Sequence, residues 1–359
     1  MHEISWWRTQ FGEPEIKRVA DAISHEHISQ GAVTAEFEAK IAAALGVPYC
    51  VATTSGSMSL LMALMTLGIS RDDEVIVPNR TWIASAHAVA MLGGKAVLVD
   101  VLPDAPILDV AAARRSITKR TKAIMPVHLG GRAADMAAVQ AVAAEHNLRI
   151  VEDASQALFS KNAAGFLGTQ SDAGCFSLSV AKLISTGQGG FTVTKSKETY
   201  DRLKSIRTHG VADVINASYT QLGFNFRFTD LQASFALAQL ERVPQRIQHV
   251  HAVYERYVAG LAKVSCVKLI PFAVARGEIP LYVEVLCDNR EKIMAHLASR
   301  GIQTRPFYPD LDQAGHLKSS GEFPRARVFG ERGLFLPCGP DQPLSNIDRV
   351  LEALRLYRP

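Results

Sequence analysis

Leu148-Arg149-Ile150-Val151-Glu152-Asp153-Ala154-Ser155-Gln156 decides the architecture. An apolar run of strand length ends on two carboxylates and then on small polar residues. Apart from Arg149 the residues ahead of the carboxylates are apolar, with no regular alternation, which marks a strand covered on both faces, as in a parallel sheet between helices. Outward from it the pattern repeats. Residues 121–127, 96–100 and Glu74–Pro78 read as strands, separated by helical patterns over about 134–146 and 84–92. Ligands of such α/β sheets bind beyond the carboxyl ends of the strands. From about residue 229 the texture changes. Helical patterns run over 231–243, halted near Pro244, and over about 246–263, followed by a strand at 281–286 and helices at 290–300 and 346–356. The pattern predicts a large α/β domain over residues 1–245 and a smaller α+β domain over 246–359.

Composition excludes several classes. The 359 residues are 48% hydrophobic and 21% charged, which supplies a sizeable core and rules out a disordered, collagen-like or disulfide-miniprotein chain. Lys plus Arg number 39 against 35 Asp plus Glu, a net +4 that gives no argument for nucleic acid or a membrane surface. Five cysteines, an odd number without a CxxC pair, speak against a disulfide framework or a cysteine zinc site and fit a reducing cytoplasm. The histidines lack ligand spacing, so no metal is expected. The start, Met1 to Arg8, has no basic region followed by an apolar run, so no signal peptide is expected. Residues 41–70 carry no charge and are long enough to span a bilayer. Gly46, Pro48 and the hydroxyls from Thr53 to Ser59 cut them into a strand, a turn and a helix of buried core.

Five stretches carry polar groups at places where chemistry is expected. Asp153 ends its strand, and a carboxylate there needs a partner, although Asp also suits a helix N-cap. Lys182 follows the small, apolar run from Gly174 to Ala181. Apolar surroundings disfavour an ammonium, and a neutral amine attacks carbonyls; an ordinary surface lysine is the alternative. Thr53 to Leu60 is a small-residue turn opening a helix, suited to phosphate or to a plain serine cap. Trp82, just after a strand, suits stacking on a flat ligand or burial in the core. Gly223 to Asp230 alternates Asn225 and Arg227 with aromatics, which fits a lip over a site, a subunit contact or a capped turn. Taken together, a phosphate turn, an aromatic plate, a carboxylate and a lysine are the four functions that pyridoxal 5'-phosphate (PLP) needs.

Here the chain resembles the DegT/DnrJ/StrS family of sugar aminotransferases, within the fold-type I PLP-transferases. Thr54-Ser55-Gly56-Ser57 is similar to its S-N-G-T turn, Asp72 to Pro78 to G-D-E-V-I-x-P, and Val127 to Gly131 to V-H-L-Y-G. Glu152 to Ala157 matches E-D-A-A-Q-A, and Phe176-Ser177 with Lys182 and Gly187-Gln188-Gly189-Gly190 matches F-S-x4-K followed by G-E-G-G. Arg207 to Gly210, Gly223 to Arg227 and Asp230 to Ala233 are similar to further family segments. The resemblance implies a large, mostly parallel seven-stranded sheet flanked by helices, with a smaller C-terminal α+β domain. By position it implies that Lys182 bonds covalently to the cofactor, that Asp153 pairs with the ring nitrogen and Gln156 meets the ring hydroxyl. Ser177 and the turn of Gly56, Ser57 and Met58 would hold phosphate, and Trp82 would stack on the ring. Asn225 would reach the phosphate of a neighbouring subunit, implying a homodimer with shared sites. Arg227, His209 and Tyr308 would lie by the substrate.

Ser55, Leu183 and Gln188 depart from the family's Asn, Asn and Glu, without removing a required chemical function. The activity implied is amino transfer from an amino acid such as L-glutamate to a keto-sugar, often nucleotide-linked. Other readings stay open on the residues alone: a non-sugar ketone or aldehyde as acceptor, PLP-dependent elimination or decarboxylation, or a PLP-fold sensor without turnover. No nucleic acid or membrane partner is implied.

Overall fold

The computed structural model describes residues 4–211, 215–219, 221–317, 319 and 321–358. Residues 1–3, part of the start read above for a leader, lie outside the described residues. In chain order the first part contains α1 (Glu13–Ser24), α2 (Ala32–Leu45), β1 (Tyr49–Thr53), α3 (Gly56–Thr66), β2 (Glu74–Pro78), α4 (Ala84–Met91) and β3 (Lys95–Val99). Then come α5 (Val110–Arg115), β4 (Thr121–Ile124), α6 (Met136–His146), β5 (Arg149–Asp153), β6 (Ala173–Ser177), β7 (Gly190–Thr194), α7 (Lys197–Arg207), α8 (Asp230–Leu240) and α9 (Val243–Leu261). The seven strands form one sheet in the order β1-β7-β6-β5-β4-β2-β3. All run parallel except β7, which pairs antiparallel with both β1 and β6.

The strands are apolar because helices cover both faces of the sheet. Val75, Ile76, Val77, Ala123, Ile124 and Val151 are fully buried. Across β6 and β7, Phe176 and Phe191 stack with ring centroids 4.7 Å apart. The uncharged stretch at 41–70 resolves into the end of α2, β1 and α3, as its glycine, proline and hydroxyls imply. Gly46 ends α2 in the left-handed region, φ 66°, where an L side chain is strained. Among the described residues no helix is long and apolar enough to cross a membrane.

A second, antiparallel sheet follows: β8 (Val267–Leu269), β9 (Val283–Cys287), β10 (Arg305–Pro306) and β11 (Gly333–Leu336), in the order β8-β9-β11-β10. Helices α10 (Arg290–Ala298) and α11 (Pro324–Arg332) pack with it, and α12 (Leu344–Leu356) packs on α9 and α10. Arg132 joins the two sheets. Its guanidinium pairs with buried Glu284, donates to the carbonyls of Ile270 and Pro271 at 2.9 Å, and lies 3.6 Å from the Phe272 ring centroid.

Two sequence expectations need correction. The strand expected over 121–127 ends at Ile124, because Pro126 has no amide to donate to a ladder; its carbonyl accepts from Asp153 N at 2.9 Å. Pro244 does not halt a helix. The break falls at residues 241–242, and Pro244 lies in the first turn of α9, where a missing N–H leaves no bond unmade.

Candidate active site

The carboxyl ends of the parallel strands, the loop after β6 and parts of the arm and smaller sheet converge on a cavity of about 530 Å³. Asp153 lies at its wall as the last residue of β5, only 5% exposed. The parallel pairing of β5 with β6 and the hydrogen bond from His128 N to Asp153 O, 3.0 Å, fix its backbone. Its carboxylate is oriented as well. Ser85 Oγ, from α4, donates to Oδ2 at 2.8 Å, and Ser155 N donates to Oδ1 at 3.1 Å.

Lys182 lies in the loop between β6 and β7 and lines the same cavity. It is half-buried, and its Nζ makes no hydrogen bond or ion pair with the described residues. Burial pushes its ammonium from 10.5 down to about 8, while the charge of Asp153 pulls the other way. An amine with no partner, near neutrality, is a nucleophile and a proton carrier.

The small-residue turn after β1 opens α3. Ser55 caps that helix, its Oγ accepting from Met58 N at 3.2 Å. Gly56 and Ser57 line the cavity with unspent amides at the positive helix end. A Cβ on Gly56 would lie 2.7 Å from Ser177 Cβ, so only glycine lets α3 approach β6 so closely. Ser177, the last residue of β6, also faces the cavity.

Trp82 also lines the cavity, 54% exposed, with its ring edge-on to Tyr308 at 5.5 Å. Gln156 lines the cavity too, and its Oε1 accepts from Gly130 N at 2.8 Å. Tyr308 bonds to Gln156, and burial pushes its phenol up to about 12. Its segment is clamped beneath by buried Arg80, which pairs with Asp310 at 2.6 Å and lies 4.7 Å from the Tyr308 ring centroid.

The remaining expected residues lie elsewhere. Met58 is off the cavity, its amide spent on Ser55. Arg227 lines a separate surface groove with Lys204 and Arg207. Asn225 is exposed, its Oδ1 accepting from Arg227 Nε at 3.0 Å, and exposed His209 has φ 55°. Neither Asn225, Arg227 nor His209 reaches the cavity of its own chain.

Several site residues were not singled out from the sequence: Ser85, which holds Asp153, and the cavity residues Trp6 of the arm and Tyr282 and Phe335 from the smaller sheet region. Trp6 stands 6.3 Å from Tyr282 and 6.2 Å from Phe335, and the Arg305 guanidinium lies 5.3 Å from the Trp6 ring centroid. Behind Asp153, buried Glu152 accepts from Gly168 N and Gln170 N at 2.7 Å and faces His128 Nε2 at 2.9 Å. Ala134 N donates to His128 Nδ1 at 3.1 Å, so the imidazole proton is on Nε2 and points at Glu152. All five cysteines are free thiols. Among the described residues no group of three or more His, Cys, Asp or Glu could hold a metal.

These residues fit pyridoxal phosphate on three independent grounds: the unpartnered amine, the oriented carboxylate, and a cradle that a single Cβ would fill. Fold and site are those of a PLP-dependent transferase of fold type I. The model of the DegT/DnrJ/EryC1/StrS aminotransferase family matches residues 9–355, and the chain belongs to that family. It is 35% identical over 335 residues to the GDP-perosamine synthase of Caulobacter vibrioides, covering 91% of this chain and 90% of that protein. It is 34% identical over 325 residues to the dTDP-3-amino-3,4,6-trideoxy-alpha-D-glucose transaminase of Streptomyces venezuelae, covering 89% and 85%. Among solved structures it is similar to the PLP form of Spr1654 from Streptococcus pneumoniae, with TM-score 0.93, 25% identity and coverage of 99% and 98%.

Proposed function

We propose that this aminotransferase moves an amino group from L-glutamate to the carbonyl carbon of a nucleotide-linked keto-sugar. The carrying observation is the unpartnered Lys182 amine in one cavity with Asp153. The relatives' names support the acceptor class, and because they differ in nucleotide they support no single base.

When bound, the cofactor supplies an electron sink for the bond broken at the donor's Cα and carries the amino group between the two halves of the reaction. Lys182 holds the cofactor at rest. Once freed, its Nζ takes the proton from Cα and returns it to the carbon that carried the aldehyde; for the keto-sugar it moves the proton in reverse. Asp153 keeps a proton on the ring nitrogen, with Ser85 and Ser155 holding its oxygens in place. Gln156 addresses the ring hydroxyl. Gly56, Ser57 and Ser177 receive the phosphate at the helix N-terminus. Trp82 covers one face of the ring, and Trp6, Tyr282 and Phe335 keep water from it. Met58 supports this turn from behind as the partner of the Ser55 cap.

In the same reading, exposed Asn225 serves the phosphate of a second copy, with Arg227 and His209 at that copy's substrate entrance. Tyr308 lies by the substrate of its own chain. The chain then works as a homodimer in the cytoplasm, where its thiols stay reduced. It divides into a cofactor domain, 1–245, and a smaller domain, 246–359.

The test is the visible spectrum of the PLP-loaded protein before and after L-glutamate, without acceptor. A cofactor band that glutamate converts to the pyridoxamine form, with release of 2-oxoglutarate, supports the donor. Amination of nucleotide-linked keto-sugars but not of simple ketones then supports the acceptor. A loaded protein with no spectral response to any amino acid overturns the proposal.

A further inference from the structure

Three donors from two distant parts of the chain converge on the two carbonyls that precede Lys182. Thr9 Oγ1 donates to Val180 O at 2.9 Å, and the Trp7 indole Nε1 approaches the same carbonyl at 3.1 Å and Thr9 Oγ1 at 2.6 Å. Tyr282 Oη donates to Ala181 O at 2.8 Å. On the far side of the lysine, Arg246 donates to Leu183 O at 2.9 Å. The loop forms no helix or strand, and Lys182 Nζ has no partner among the described residues. The amine is therefore located by its backbone, and its backbone by these donors.

The donors are themselves braced. Trp7 bridges to Cys338, Arg8 N donates to Cys338 O at 3.1 Å, and Ile4 N donates to Gly301 O at 2.8 Å. The Trp7 and Tyr282 rings meet edge-on at 5.6 Å. Tyr282 is buried at 6% exposure, so its hydroxyl has little access to water in place of Ala181 O.

We propose that Tyr282, with the arm pair Trp7 and Thr9, positions Lys182: by fixing the Val180 and Ala181 carbonyls, they hold the amine in the cavity wall and out of bulk water. This rests on Lys182 being the reactive amine of the proposed function. The charged residues lining the cavity with it are Asp153 and Arg305, and none of the positioning residues carries charge. Loosening the clamp changes the solvation of the amine and leaves the charges around it in place.

The experiment follows acetylation of Lys182 against pH in the full-length, cofactor-free protein, read by mass spectrometry of the peptide that contains it. The parent midpoint is expected at about 8. Tyr282→Phe, which keeps the ring and removes the hydroxyl, is expected to raise it by at least ~0.5 pH unit, toward that of a hydrated lysine. Tyr254→Phe is the control: its hydroxyl accepts from Phe272 N at 3.0 Å and the residue does not line the cavity, so its midpoint stays at the parent value. An unshifted midpoint in Tyr282→Phe, or an equal shift in Tyr254→Phe, overturns the proposal. Should Tyr282→Phe not fold, Thr9→Val decides by the same criterion at Val180. Lys182→Ala, read by covalent cofactor retention, tests the amine's role separately, so the two ideas fail independently.

Discussion

Ser85 Oγ donates to Asp153 Oδ2 across 2.8 Å, joining the first turn of α4 to the end of β5 over 68 positions of sequence. Thr81 Oγ1 lies 3.2 Å from Ser85 Oγ and continues the chain. A hydrogen bond to a charged group contributes about 1.5–3 kcal/mol. Ser85→Ala is therefore expected to weaken PLP binding or lower kcat by about tenfold to a hundredfold. Asp153→Asn, which removes the charge itself, is expected to lower kcat by about a hundredfold or more. Cofactor titration and steady-state rates check both, and a Ser85→Ala enzyme equal to the parent would show the bond to be idle.

Lys182 carries a stability consequence with a definite sign. Its folded value of about 8 lies below the ordinary 10.5, so between those pH values the unfolded chain binds a proton that the folded chain does not. Stability of the cofactor-free parent thus rises with pH through that window, and below it burial of the ammonium is a penalty. Lys182→Met is expected to be more stable than the parent at pH 7 by about 1–3 kcal/mol, an advantage that fades as pH passes through the window. Denaturant unfolding at several pH values measures it. The same variant is expected to show no turnover and no borohydride-fixed cofactor.

Gly56 and Ser177 make a prediction about space. With a Cβ at Gly56 only 2.7 Å from Ser177 Cβ, Gly56→Ala forces α3 away from β6, at about 1–3 kcal/mol. The Tm is expected to fall, and PLP affinity to drop by about tenfold or more as the helix end moves. Ser177→Gly added to Gly56→Ala should recover Tm but not affinity, because the space returns while the hydroxyl does not. Recovery of both would assign Ser177 Oγ no part in binding.

His128 and Glu152 form a support behind Asp153. Burial alone would raise the Glu152 carboxyl, but the hydrogen bond from His128, with those from Gly168 N and Ser171 Oγ, holds it below the ordinary 4.5. A carboxylate lowered in the folded state stabilises above its unfolded pKa, and that contribution is lost as pH falls through the folded value. Stability of the parent is therefore expected to decline below about pH 4.5, and Glu152→Gln to lack that part of the decline. His128→Ala, which leaves a buried charge short of a partner, is expected to destabilise by about 3 kcal/mol. Urea unfolding against pH tests both.

Much of this was legible in the sequence because it is local. The consecutive apolar residues of β2, β3 and β5 signal two covered faces, and Asp153 and Lys182 stand at strand-end and loop positions that motif spacing marks. What was not legible is what depends on distant partners. Ser85 sits in an alanine-rich helix, and nothing near it in sequence points to Asp153. Trp6 and Phe335 meet at the cavity only because the arm lies along the smaller sheet. The reversed direction of β7 follows from its pairing with β1 and β6, since its apolar residues suit either direction. Asn225, Arg227 and His209 carry family spacing, yet the fold directs them away from their own chain's cavity.

The arm has a consequence for synthesis. Its residues seat on Gly301, Ile302 and Cys338, which are made well after the strands of the large sheet. A growing chain can pair all seven strands of the large sheet once Thr194 has emerged, yet Val180 and Ala181 stay unclamped until the smaller sheet arrives to receive the arm. The arm thus waits for the smaller sheet, and a nascent chain exposes a reactive lysine long before it can shelter it.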